Sequence, residues 1–291
     1  MEPETKKQNM EDSGPIGVPE HYTFKNSILK LVQKIKGPDL YEKQLSATKL
    51  CKSKDPKVVR YVLDQLEDKN PIIRENIISN LYRFDIDTAL IGLKRGIEDI
   101  DAKVREAAAD CLGELKERKD RVLKLLNKGL NDNVPEVREA AVMSIAKIGG
   151  KRAMRMLKEA FFNENDSSIR ATIIYELAER FGKDAKKILL EALFDPNEKV
   201  AENASNELED MLNKEDLLYL VRKYKEGTPE MKKRVRDLIW GIGDLNAMEF
   251  INFIDEPTKY ADKFILSQLG DKNLKELPKL MVSERNEQEK K

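Results

Sequence analysis

The chain contains one histidine, His21. That count removes any mechanism built on a histidine base and any histidine-rich metal centre. The two cysteines, Cys51 and Cys111, stand far apart within helical patterns and read as reduced, buried small hydrophobes rather than a disulfide framework. The stretch IAKIGGKRA has the Gly-Lys of a phosphate loop, but Ile145 occupies the place of the leading glycine and no Ser or Thr follows Lys151. It reads as a turn, not a phosphate cradle. Trp240 and Asp237 fall together on one helix, an aromatic beside an acid, with the indole expected in the interior. Carboxylates number 53, so the proximity of any two says nothing about acid–base catalysis. No catalytic residue, metal or cofactor is expected, and the chain is read as a non-enzyme.

The composition says what must position whatever function remains. Charged residues are 36% of the 291 positions, yet 53 Lys and Arg balance 53 Asp and Glu, so no global field steers the chain toward nucleic acid or an acidic membrane. Fourteen Gly, 11 Pro and 6% aromatics favour helices over a many-turned β architecture. No apolar run approaches the ~20 residues of a membrane span, and the N-terminal stretch lacks the apolar block of a signal peptide. A soluble, cytoplasmic protein is the expectation.

The elements declare themselves through a repeat. VREAA occurs twice, with Arg105 and Arg138 thirty-three positions apart, and equivalent marks fall at Lys43, Arg74, Arg170, Ala201 and Lys232. Seven positions after each mark stand Leu50, Leu81, Leu112, Ile145, Leu177, Leu208 and Ile239; eight before stand Ile35, Leu66, Ile97, Leu130, Phe162, Leu193 and Tyr224. Both columns are apolar throughout, which fixes the register. Around each mark the apolar positions −1, +3, +4 and +7 trace one face of a helix, and the preceding segment has the same spacing, as in Val122, Leu125, Leu126 and Leu130. Each repeat is therefore two amphipathic helices. Pro38, Pro71, Pro135 and Pro229 are expected to open second helices, and Gly149, Gly150, Gly182 and Gly243 to close them. One pair cannot bury its own stripes, so neighbours must stack: an all-α, right-handed α-solenoid of about eight helix pairs is expected. Residues 1–22 and 282–291 carry too little apolar content to order themselves and are expected to be disordered tails around a solenoid spanning residues 23–281.

The second-helix pattern of VPEVREAAVMSIAKIGG, DAKVREAAADCLGELK and NPIIRENIISNLYRF resembles the HEAT repeat, in its short variant of about thirty-one residues, over roughly residues 24–281. The resemblance implies an armadillo-like superhelix and, for most of the family, adaptor or scaffold roles. The outer copies drift: Glu42 replaces the valine in the first, Ala201 the arginine in the sixth, and an eighth around Lys263 is degenerate, as in capping repeats. Deoxyhypusine hydroxylase, a HEAT-like enzyme, carries paired His-Glu motifs that are missing here, and nothing marks the bilin site of the similar bilin lyases. HEAT-like DNA glycosylases use aromatic and acidic side chains in a cleft, for which Trp240 and Asp237 are the sole counterpart.

Two surfaces remain as candidates. Positions +1, +5 and +9 of the second helices point away from the core toward the concave face and carry nine acidic residues against four basic. The expected partner is another protein offering a basic segment. Asp110, Glu114, Met143, Tyr175, Glu179, Asn206, Asp210 and Asp237 are the expected contacts, with Met143 and Tyr175 as adaptable anchors. The alternative is a nucleic acid or ribonucleoprotein on a basic ridge of the first helices of repeats four to six: Lys124, Arg152, Arg155, Lys186 and Lys187. That ridge lacks interleaved aromatics for base stacking. The arginine marks themselves are expected to be structural. The carboxylates six positions before the marks (Asp68, Asp99, Asp132, Glu164, Asp195 and Glu226) would cap second helices and pair with arginines of the same or the next repeat.

Overall fold

A computed structural model describes residues 24–213, 216, 219, 220, 223, 224 and 227–242. His21, both expected tails, Glu226, Gly243 and the eighth repeat around Lys263 lie outside the described residues. The rest is all-α among those residues. The first repeat pairs α1 (Asn26–Lys36) with α2 (Leu40–Leu50), the second α3 (Pro56–Asp64) with α4 (Pro71–Ile78), and the third α5 (Ile86–Gly96) with α6 (Ala102–Gly113). The fourth pairs α7 (Lys119–Gly129) with α8 (Pro135–Ile148), the fifth α9 (Lys151–Asn163) with α10 (Ser167–Phe181), and the sixth α11 (Lys186–Ala192) with α12 (Glu198–Leu208). The seventh contributes α13 (Pro229–Ile242) as its second helix. The chain divides into two compact halves, Met1–Ala160 and Phe161–Lys291. In the first, second helices stack α2 on α4, α4 on α6 and α6 on α8; in the second, α10 on α12 and α12 on α13.

Every mark proves to be the fourth residue of its second helix, and the residue four before it is the N-cap position. Asp39, Asn70, Asp101, Asp166 and Asn197 each cap with a side-chain oxygen that accepts a backbone N–H of the first turn, at 2.8–3.1 Å. The caps thus stand at −4, not at −6 as the carboxylate column suggested. The −6 carboxylates act one step earlier: Asp68, Asp99, Asp132, Glu164 and Asp195 each accept the N–H of the cap residue itself, at 2.8–2.9 Å. Pro71, Pro135 and Pro229 are first helical residues, whereas Pro38 precedes the cap Asp39. Gly149, Gly150 and Gly182 close α8 and α10 with positive φ (66°, 91° and 49°), a conformation that costs glycine least.

The +7 column, Leu50 through Ile239, is fully buried in all seven repeats. The −8 column is buried except in the fourth repeat, where Leu130 is half-buried, and in the fifth, where Phe162 is 65% exposed and Phe161 is buried instead. The cause lies one residue earlier. Position −9 is Gly96 and Gly129 in repeats three and four, and a Cβ at Gly96 would come within 2.4 Å of Ile78. In repeat five that position is Phe161, which joins Leu157 and Ala153 on one helical face and turns Phe162 outward.

Candidate partner-binding face

The marks build a ladder. Arg74 presents its guanidinium fork to Asp99 of the next repeat (Nε–Oδ2 and Nη2–Oδ1, both 2.7 Å), Arg105 to Asp132 (2.6 and 2.9 Å) and Arg170 to Asp195 (2.8 and 2.9 Å). The remaining Nη1 turns back to the carbonyls of its own inter-helix turn: Asp68 and Lys69, Asp99 and Ile100, Glu164 and Asn165. Arg138 donates likewise to the Asp132 carbonyl. The guanidinium groups of Arg74, Arg105 and Arg170 thus each close one turn and grip the next. The neighbouring guanidinium and the cap-residue N–H hold the Asp99 and Asp132 carboxyls below the ordinary carboxylate range against the opposing effect of burial, as Lys36 and the Asn70 N–H do for Asp68. The arginine column is structural, as its spacing suggested, and its partner is the following repeat.

With the ladder satisfied internally, the outward positions of the second helices stand outside it. In the N-terminal half, α4 and α6 enclose a groove of about 640 Å³. Four carboxylates line it, from Glu75, Glu106, Asp110 and Glu114, against one ammonium, from Lys103; Ser79, Tyr82 and Cys111 complete the walls. Lys103 is bound to Glu106 at 2.6 Å, and Glu114 to Lys147 of the next repeat at 2.6 Å. Asp110 and Glu75 keep the excess. Burial, then Glu106 and Glu114, push the Asp110 carboxyl above its ordinary range; burial, then Asp101, do the same to Glu75. The Cys111 thiol is pushed up to about 12 by burial and is inert.

Of the residues expected on this face, Asp110 and Glu114 lie together in the groove, and Met143 is 49% exposed on α8. Tyr175 (50% exposed) and Glu179 on α10, Asn206 on α12, Asp210 in the turn just after it, and Asp237 on α13 are exposed in the C-terminal half. Position +1 is less open than expected: Glu75, Glu106 and Glu139 are half-buried and Ala171 is buried. Tyr82 and Lys103 went unnoticed because they stand at +8 and −2. Their spacing of three residues from Ser79 and Glu106 puts them on the same helical face, a signal the sequence does carry. Trp240, also at +8, is 68% exposed rather than interior, because that position borders the outward +5 residue.

Two of the five residues of the basic ridge are engaged within the chain. Arg152 pairs with Asp120 at 2.7 Å, and half-buried Lys186 with Asp216 at 2.6 Å; Lys124, Arg155 and Lys187 are exposed. Nearby, Arg118 and Arg121 reach Asp87, and Lys128 pairs with Glu98. Among the described residues no group of three or more His, Cys, Asp or Glu side chains is placed to hold a metal ion, and no helix is long and apolar enough to cross a membrane.

Stacked helix pairs with a repeated inter-repeat clasp define an α-helical repeat protein of the armadillo type. Residues 92–178 match the family model of HEAT repeats. The solved structure of YibA from Escherichia coli is 18% identical over 82% of this chain and 90% of its own, with a TM-score of 0.53. The CpcE–CpcF complex of phycocyanin lyase from Nostoc sp. PCC7120 is 18% identical over 82% of this chain and 97% of its own, with a TM-score of 0.41. A designed armadillo repeat protein in complex with the peptide (KR)4 is 21% identical over 63% and 98%, with a TM-score of 0.39. No curated protein sequence matches the chain. Folds of this kind commonly serve as protein-binding scaffolds; they are typical of non-enzymes, though some of their members are enzymes.

Proposed function

We propose that the protein is a non-catalytic interaction scaffold that holds a basic segment of another protein against the acidic face of its second helices. The observation that carries this reading is the charge imbalance of the α4–α6 groove, four acidic side chains against one lysine, with the Asp110 and Glu75 carboxyls pushed above their ordinary range by burial and neighbouring acids. A lysine or arginine placed there relieves that repulsion, so binding and ionisation favour each other. The engagement of Arg152 and Lys186 by carboxylates of the same chain supports this reading over the nucleic-acid one. Met143 is a further proposed contact in the N-terminal half; Tyr175, Glu179, Asn206, Asp210 and Asp237 are the proposed contacts of the C-terminal half, taken by itself.

The test is the anisotropy of a fluorescein-labelled peptide rich in Lys and Arg. Asp110→Lys with Glu114→Lys should weaken binding at least about tenfold, the equivalent of one lost charge contact of about 1.4 kcal/mol, without lowering Tm. Affinity should also fall as pH drops through the raised range of Asp110 and Glu75, above the pH at which ordinary carboxylates titrate. Undiminished binding by the double variant would sink the proposal. A mobility shift with RNA that is lost on Arg152→Glu plus Arg155→Glu would transfer the function to the first helices.

A further inference from the structure

We propose that the sixth repeat holds a receptor for a guanidinium group, in the place its own missing arginine would fill. The inference is independent of the acidic groove. In repeats two, three and five, the mark arginine is seated by two backbone carbonyls of its own turn, at positions −6 and −5. In repeat six the mark is Ala201, fully buried, and its side chain ends at Cβ. The corresponding turn residues are Asp195 and Pro196. A cavity of about 410 Å³ opens beside them, walled also by Glu198, Thr228, Glu230 and Arg234, a volume in the range of ligand clefts.

The charges around it favour one further cation. The Asp195 carboxylate is already neutralised by the fork of Arg170. Glu198 and Glu230 bring two negative charges against the single positive charge of Arg234, so one cationic guest balances the site. A guanidinium can give one nitrogen to the pair of carbonyls and keep the others for a carboxylate, as in the three occupied repeats, where Nη1 alone reaches the carbonyls and the Nε–Nη2 fork holds an Asp; an ammonium lacks that division. Arg234 adds a discriminating feature: its Nε is buried without a hydrogen-bond partner. A guest that also carries a carboxylate would supply the acceptor. The guanidinium can therefore arrive on an arginine side chain of a partner protein or as free arginine, and Arg234 separates the two.

The experiment is a titration of the full-length, amide-labelled chain, followed by NMR at Asn197, Glu198 and Met231. N-acetyl-arginine amide stands for the side chain, free L-arginine for the amino acid, and N-acetyl-lysine amide is the control. Saturable shifts with a Kd on the order of millimolar are expected for the arginine probes, with clearly weaker binding of the lysine probe. Equal affinity of the two arginine probes identifies a side-chain guest; tighter binding of the free amino acid, abolished by Arg234→Met, identifies a small molecule. Ala201→Arg should fill the cavity from within, remove the response and raise Tm by about 3 °C. If Ala201→Arg does not fold, Glu198→Gln with Glu230→Gln should still weaken the arginine probes several-fold. No saturable shift, or shifts unchanged by these substitutions, overturns the proposal.

Discussion

Arg105→Ala tests whether the ladder holds neighbouring repeats together. The side chain makes five hydrogen bonds: two to Asp132, one each to the carbonyls of Asp99 and Ile100, and a longer one to Asn133. Arg105 and Asp132 are 13% and 10% exposed, so solvent screens them little. Truncation leaves a nearly buried carboxylate that retains the Val134 N–H at 2.9 Å. Breaking one partner of a buried pair costs about 3–5 kcal/mol. The retained N–H and the nearby charge of Arg138 argue for the lower end, about 3 kcal/mol, or roughly 6–12 °C in Tm for a domain of 150–250 residues. Thermal unfolding by circular dichroism at neutral pH measures it. A double-mutant cycle with Asp132→Ala should return a coupling above about 1.5 kcal/mol. The sign of the pH dependence follows from Asp132, whose folded pKa lies below its ordinary value of 3.8. Its contribution is complete above that ordinary value and is lost as pH falls through the lower folded one, so wild type and variant should converge in strong acid. A coupling below about 0.5 kcal/mol would falsify the clasp.

Two further substitutions probe local geometry. Arg118 is the one described non-glycine residue with positive φ (52°), and its ion pair with Asp87 is long and exposed. Arg118→Gly should therefore stabilise by about 0.5 kcal/mol, read as a rise in Tm. Gly113 sits where α6 meets α8, and a Cβ there would lie 2.5 Å from Ser144 Oγ and 3.1 Å from its Cα. Gly113→Ala should cost about 1–2 kcal/mol in urea unfolding despite its better helix propensity, with partial rescue by Ser144→Gly; a neutral result would contradict this close approach.

The repeat register was legible because each mark combines two constraints, the helical period and a fixed distance to the cap, and both recur about every thirty-one residues. What the period could not supply is the identity of a neighbour across the stack. It places Glu114 and Lys147 on outward positions but not in contact, and it cannot tell that Arg105 grips Asp132 ahead rather than Asp99 behind. Those distances depend on how one pair leans on the next. Phe162 shows a second limit: adjacent apolar residues leave the helix two ways to face the core, and the choice was made by the bulk at Phe161. The groove was half legible, in its charge and not in its depth, since Glu75 and Glu106 are drawn partly under by the approach of α4 and α6.

In repeats two, three and five the clasp uses the turn residue at −5 only through its carbonyl oxygen. Lys69, Ile100 and Asn165 share nothing in size or polarity, yet each accepts from its arginine, and each side chain is exposed, Ile100 to 94%. In these three repeats, then, the −5 position is one at which identity is decoupled from folding. Side chains can be exchanged there, for a fluorophore, a crosslinker or a new recognition residue, with the backbone bond left intact.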